Sequence, residues 1–186
     1  MEVPPIRSPR LELVAFSPAA MRAVLDRDYA SAAADLGAAV PGDLRERLGD
    51  LFEMRLDDVA RDPAVRPWIA RAMILTDELG VRRLVGSVGF HGPPNEEGRA
   101  EVGYHVEPGF RRRGFATEAV RTLIDWAARE HGITRFRASV APTNVASLAV
   151  VAGLGFRQTG RQWDEVDGEE LVFELDLPGQ PGGNGR

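Results

Sequence analysis

The chain has 186 residues, 44% of them apolar and 27% charged, which is enough for one folded domain and excludes a disordered or fibrous chain. It contains no cysteine, and this removes disulfides, thiolate metal sites and any reaction that passes an acyl group through an enzyme thiol. A formal net charge of -5 argues against broad affinity for nucleic acid, so a basic cluster in this chain reads as a local site.

Taken in chain order, residues 1–9 and 178–186 are rich in proline and glycine and read as tails around a single domain at 10–177. Arg10 to Phe16 alternates as a strand does. Ser17-Pro18 then forms an N-cap followed by proline at the first helical position, which predicts a helix to about Asp28. Leu44, Leu48, Leu51, Phe52 and Val59 mark a second amphipathic helical region. From residue 70 the period shortens. Strands are predicted over Arg71–Thr76 and Leu84–Phe90, joined by a turn at 78–82, and again over Val102–Val106.

A helix follows at 116–129, with Ala116, Val120, Leu123, Ile124 and Ala127 on one buried face. Phe136, Ala138 and Val140 alternate with polar residues in a further strand, and Asn144 opens a short helix that ends near Gly153 and Gly155. Leu171, Phe173 and Leu175 form a closing strand. Strand, helix, strand, helix, strand after residue 100 predicts an α/β domain on a mixed sheet flanked by helices. No apolar run approaches about eighteen residues and no leader pattern opens the chain, so the expectation is a cytoplasmic protein without a membrane partner.

The most informative segment runs from Glu101 to Val120: a strand, the turn Arg111-Arg112-Arg113-Gly114-Phe115-Ala116, then a helix. Backbone amides of such a turn, with the unpaired N–H groups of the helix's first turn, make a concavity for phosphate. Gly114 allows close approach and a positive φ, and the arginines supply charge. Neither Gly-x-x-x-x-Gly-Lys-Ser/Thr nor a strand-linked Gly-x-Gly-x-x-Gly occurs, so the cradle is of neither common nucleotide-binding type.

Arg111, Gly114 and Ala116 in this spacing resemble the acetyl-coenzyme A signature of the GCN5-related N-acetyltransferases (GNAT). The text at 101–106 and at 144–156 resembles the branch that acetylates ribosomal-protein N-termini, RimJ/RimL-like enzymes. The resemblance covers about residues 70–175. It implies a twisted sheet with a splayed pair of parallel strands at the acetyl-coenzyme A site, the strand at 101–106 parting from that at 135–140. A bulge near Gly103 or Tyr104 is the expected cause of the parting.

It further implies that His105 and Val106 pair their backbone with the pantetheine arm. The amides of Arg111, Arg112, Arg113, Gly114, Phe115, Ala116 and Thr117 would hold the pyrophosphate, and Asn144 would bond the coenzyme arm. Asn144 is equally a plain N-cap, and Ser147 is tolerated three residues on.

Acetyl-coenzyme A would serve as co-substrate, with no metal. The acceptor would be a primary amine: a peptide or protein N-terminus, or a small amine such as an aminoglycoside or polyamine. A non-catalytic coenzyme-binding module is the third reading. Glu101 is the candidate general base, against the alternative of a solvated strand-end charge. At pH 7 a lysine-like amine is free base in only about one molecule in 2500 and an α-amine in about one in ten, so one carboxylate, acting directly or through water, suffices for an N-terminal acceptor. The tyrosine that often serves as acid in the family would fall near Val151, which leaves Ser147 or water to protonate the leaving thiolate. His91, His105 and His131 lack metal-ligand spacing, and Trp68, Trp126 and Trp163 read as core or groove walls. Asp164, Glu165, Asp167, Glu169 and Glu170 form an acidic cluster in the last hairpin, read as a solvated loop or as a guide for a cationic acceptor. The oligomeric expectation is a monomer or a homodimer.

Overall fold

A computed structural model describes residues 3–165 and 168–178. Eight strands form one sheet in the order β1-β2-β3-β4-β5-β6-β8-β7. The strands are β1 (Ile6–Arg7), β2 (Leu11–Ala15), β3 (Arg71–Thr76), β4 (Arg82–Phe90), β5 (Arg99–Val106), β6 (Arg135–Val140), β7 (Arg157–Asp164) and β8 (Gly168–Asp176). Every neighbouring pair is antiparallel except β5 and β6. The helices are α1 (Pro18–Leu25), α2 (Tyr29–Leu36), α3 (Leu44–Arg61), α4 (Phe115–His131) and α5 (Val145–Gly153). Among the described residues no helix is long and apolar enough to cross a membrane.

Each face of the sheet buries its own apolar set. On one face Phe16, Met21, Val24, Leu36, Leu44, Leu48 and Phe52 close over Ala72, Ile74 and Leu84, so α1–α3 cover that side. On the other, α4 lays Val120, Leu123, Ile124 and Ala127 against Leu13, Met73, Val88, Phe90, Val102 and Phe136. The period-2 alternation would send Leu84 and Phe90 to the same side, and a bulge resolves the conflict: Met73 pairs Gly86 but Ile74 pairs Leu84, leaving Val85 as the extra residue. Leu84 therefore faces α1–α3, and Val85, Val88 and Phe90 face α4.

Local cues act as the sequence predicts. Ser17 caps α1 by accepting from the Ala20 N–H at 2.9 Å, with Pro18 next, and the helix ends at Leu25. Asn144 caps α5 in the same way through the Ser147 N–H at 3.1 Å. The segment 27–36 departs from expectation. Arg27 turns through a positive φ of 59° and a separate helix α2 begins at Tyr29, capped by Asp28. Residues 6 and 7 are also no tail. They pair with β2, Ile6 is buried, and the fully buried Arg71 guanidinium ties this end down by donating to the carbonyls of Pro4, Leu13 and Pro67 at 2.9–3.3 Å. Burial pushes the Arg71 pKa down to about 10.

Three further expectations are corrected. No bulge lies at Gly103 or Tyr104, because the β4–β5 register is continuous from Gly86↔Val106 to Phe90↔Val102. Ala116 is not on the buried stripe of α4, which runs through Phe115 and Ala119. Trp163 is 76% exposed on the β7–β8 hairpin, whereas Trp68 and Trp126 pack edge to face at 5.3 Å with His131 against both. Asp167 lies outside the described residues.

Candidate active site

The parallel strands part where each keeps its other partner. β5 and β6 pair only at Arg99↔Arg135, Ala100↔Phe136 and Glu101↔Arg137. Beyond that point β5 follows β4 to Val106, and β6 follows β8 to Val140. On β5 the Glu101 carbonyl and the Glu107 N–H bond toward β4, so by the alternation of an extended strand the backbone groups of residues 102, 104 and 106 turn toward the gap. The Val106 carbonyl there is taken by Arg111 Nε at 3.0 Å; the Val106 N–H also faces the gap.

A cleft of about 900 Å³ continues from this opening. One wall is Tyr104, His105 and Val106; its end is Arg111, Arg112, Gly114, Phe115, Ala116 and Thr117; the far wall is the first turns of α5, with Asn144 and Ser147. Gly114 is the N-cap of α4 with φ 79°, and it has no side chain to cap the helix. The first intrahelical bond is that of the Glu118 N–H to Gly114, so the N–H groups of residues 115–117 are left for a ligand. Arg112 also takes a positive φ of 62°, which gives the turn the alternating hand of an anion-binding nest. An elongated ligand with an amide-bearing arm and a pyrophosphate suits this donor set: open strand edge, then unpaired helix amides, then two guanidinium groups.

Of the site residues named from sequence, His105, Val106, Arg111, Arg112, Gly114, Phe115, Ala116, Thr117, Asn144 and Ser147 line this cleft together. Arg113 does not. Its guanidinium lies 5.5 Å over the Phe110 ring, and its carbonyl accepts from Arg10 at 3.0 Å. Glu101 is not on the cleft wall either. It sits at the last paired position of β5 and β6, on the face of α1–α3, where Ser139 Oγ donates to it at 2.6 Å and Arg137 lies 3.7 Å away.

Two groups that the sequence reading passed over belong to the site. Tyr104 sends its hydroxyl across the gap to the Ser147 carbonyl at 3.3 Å, tying β5 to α5, and burial raises its pKa against the opposing effect of that bond. Its place in a strand alternation was the only signal. Ser8 and Arg10 form the second group, a clasp on Glu118 in the first turn of α4. Ser8 Oγ, the Arg10 N–H and Arg10 Nε donate to Glu118 at 2.7, 2.8 and 2.6 Å. Burial works to raise the Glu118 pKa, yet these bonds hold it below the usual carboxylate range. The Arg10 guanidinium stacks 4.7 Å from the Phe115 ring and approaches to 3.4 Å of where a Gly114 side chain would begin.

Across the sheet, buried Glu107 accepts from Arg47 of α3 at 2.6 and 3.1 Å and lies 3.7 Å from His105 Nε2. Burial lowers the His105 pKa, partly offset by Glu107, so this ring is neutral near pH 7. The His91 pKa is also lowered by burial, with Glu101, Arg55, Glu170 and Arg137 as the charged groups around it.

Comparison with known proteins follows this geometry. A family model described as an acetyltransferase (GNAT) domain matches residues 10–157. The uncharacterized N-acetyltransferase p20 of Bacillus licheniformis is 35% identical over 95 residues, 50% of this chain and 51% of that protein. The chain spans about half the length of the curated relatives it matches. RimJ of Mycobacterium smegmatis, solved with a coenzyme A disulfide, superposes with TM-score 0.63 at 20% identity over 97% of this chain and 89% of that one. RimL, described as a ribosomal L7/L12 alpha-N-protein acetyltransferase in complex with coenzyme A, superposes with TM-score 0.63 at 16% identity over 93% and 98%. These two likenesses show the fold. The family model spans most of the chain, and the chain belongs to the GNAT family of acetyltransferases.

Proposed function

We propose that this protein transfers the acetyl group of acetyl-coenzyme A directly to a primary amine, and that the amine is the α-amine of a peptide or protein N-terminus. The observation that carries the reading is the single cleft running from the open edge of β5 to the amides at 115–117, with Glu101 at the root of the same strand. The pyrophosphate lies on the Gly114 turn and the pantetheine arm along residues 104 and 106. The thioester supplied by the coenzyme then sits at the gap between β5 and β6. Glu101, five residues back along the strand from Val106, takes a proton from the acceptor ammonium through intervening water, and the free amine forms the new C–N bond. The Val106 N–H stabilises the oxyanion, the surplus proton on the attacking nitrogen passes to water, the C–S bond breaks, and the sulfur takes a proton from water or from Ser147, which solvent then reprotonates. With no cysteine in the chain, no acyl-enzyme on a thiol intervenes. An N-terminal acceptor is favoured because one carboxylate meets its modest demand for deprotonation, and because a protein of this fold, RimL, carries that description.

Thiol release from acetyl-coenzyme A, measured with a peptide bearing a free serine α-amine, with spermidine and with kanamycin, tests the reading. Turnover with the peptide above the other two is expected. Turnover with spermidine or kanamycin alone would replace the acceptor class, and tight coenzyme binding with no turnover at all would overturn the enzyme.

The clasp gives a separate expectation. Arg10→Ala frees the Arg113 carbonyl and one side of Glu118, loosening the cradle without touching the reacting atoms. The KM for acetyl-coenzyme A is expected to rise about three- to tenfold with kcat unchanged. An equal loss in kcat would mean that Arg10 acts on more than the cradle.

A further inference from the structure

The α1–α3 face of the sheet carries a closed ring of four polar side chains from three strands. Ser139 Oγ donates to Glu101 Oε1 at 2.6 Å. Gln162 Nε2 donates to Ser139 Oγ at 3.2 Å and to Glu170 Oε2 at 2.8 Å. Arg137 Nη2 donates to Gln162 Oε1, and Arg137 Nε lies 3.7 Å from Glu101 Oε2, closing the ring. Glu101 is on β5, Arg137 and Ser139 on β6, and Gln162 on β7, two places further along the sheet order.

The direction of every bond in this ring is forced. A guanidinium only donates, so the Gln162 amide must turn its oxygen to Arg137. Its NH₂ then faces Ser139 and Glu170, and the Glu170 carboxylate can only accept. Ser139 therefore receives a bond from Gln162, and its single proton is left for Glu101. One carboxylate oxygen of Glu101 is fixed by a hydroxyl whose own orientation is fixed from the neighbouring hairpin, and the other faces a cation.

We propose that Ser139, Gln162 and Arg137 are positioning residues that hold the Glu101 carboxylate in its working orientation, so that the β7–β8 hairpin acts on the chemistry through Gln162. The inference rests on Glu101 being the general base. A base must keep hydrogen-bond distance to the proton it removes or to the water that relays it, and a misplacement on the order of 1 Å costs up to about a hundredfold in rate. A glutamate on a strand has three side-chain torsions that must be held for its carboxylate to keep one orientation.

The test uses the full chain, the three-amine panel above and the amine of that panel that turns over fastest. Ser139→Ala is expected to lower kcat about ten- to a hundredfold, with the KM for acetyl-coenzyme A unchanged. Ser139→Thr keeps the hydroxyl and restores the rate. Gln162→Glu is nearly isosteric but replaces the donor by an acceptor, draws the Ser139 proton away from Glu101, and is expected to lower kcat about tenfold. In a Glu101→Gln background, Ser139→Ala adds no further loss. Failure of Glu101→Gln to lower kcat, or no turnover with any amine, overturns the base and this inference with it. A slow Glu101→Gln enzyme beside a full-rate Ser139→Ala enzyme overturns the positioning role alone. So does a Ser139→Ala loss that multiplies undiminished onto Glu101→Gln, or one that Ser139→Thr leaves unrepaired.

Discussion

Gly114→Glu is expected to abolish coenzyme binding while leaving the fold intact. Two effects add at this position. The backbone sits at φ 79°, where a residue with a Cβ pays about 1–2 kcal/mol. A carboxylate placed there also meets the pyrophosphate head on, and like charges set together across an interface cost several kcal/mol, which is a fall of more than about a hundredfold in affinity. The new side chain would begin 3.4 Å from the Arg10 guanidinium, an exposed neighbour with room to give, so the helix behind it need not unfold. Isothermal titration with coenzyme A reads the loss, and far-UV circular dichroism checks the fold. Binding near the normal affinity would put the pyrophosphate somewhere other than this turn.

Glu101→Gln is expected to lower kcat by about a hundredfold or more while leaving coenzyme affinity near its normal value. The separation follows from geometry, since Glu101 lies off the cleft proposed for the donor. The loss depends on pH in a fixed direction. Below about pH 8 an α-amine is mostly ammonium and the reaction needs a group to take its proton; above that the free amine predominates and the need fades. The ratio of wild-type to variant rate is therefore largest in acid and shrinks as pH rises through the acceptor's own pKa. A rate equal to wild type at every pH would remove Glu101 as the base.

What the sequence disclosed was whatever depends on neighbours along the chain. Ser17-Pro18 and Asn144 announce helix starts because a cap needs only a side chain and an amide three residues on. Arg71–Thr76 opens on four buried residues in a row and stops before the polar Asp77. The cradle at 111–117 belongs to the same class. The features that escaped depend on partners far away or carry weak local contrast. Helix α2 is rich in alanine and shows little difference between its faces. Strand β7 is exposed along most of its length, so no alternation marks it.

The bulge expected on β5 is absent, and the one at Val85 is a separate feature of the β3–β4 register that does not part β5 from β6. Arg113 was grouped with its two neighbours by composition, yet it turns onto Phe110. The ring around Glu101 could not be read at all from a linear text. Its members stand at 101, 137, 139 and 162, and only the sheet brings them side by side.

The clasp of Ser8 and Arg10 on Glu118 joins groups 108 and 110 residues apart. Closing so long a loop is an entropic cost that the chain meets only when β2 and α4 dock. The strand, turn and helix around Gly114 rest on contacts near in sequence, whereas the turn has its second support only when the N-terminal residues are docked. If the proposed cradle holds the coenzyme, its affinity is expected to report on docking of the N-terminal residues, and a chain with those residues undocked is expected to be folded around the cradle yet poor at filling it.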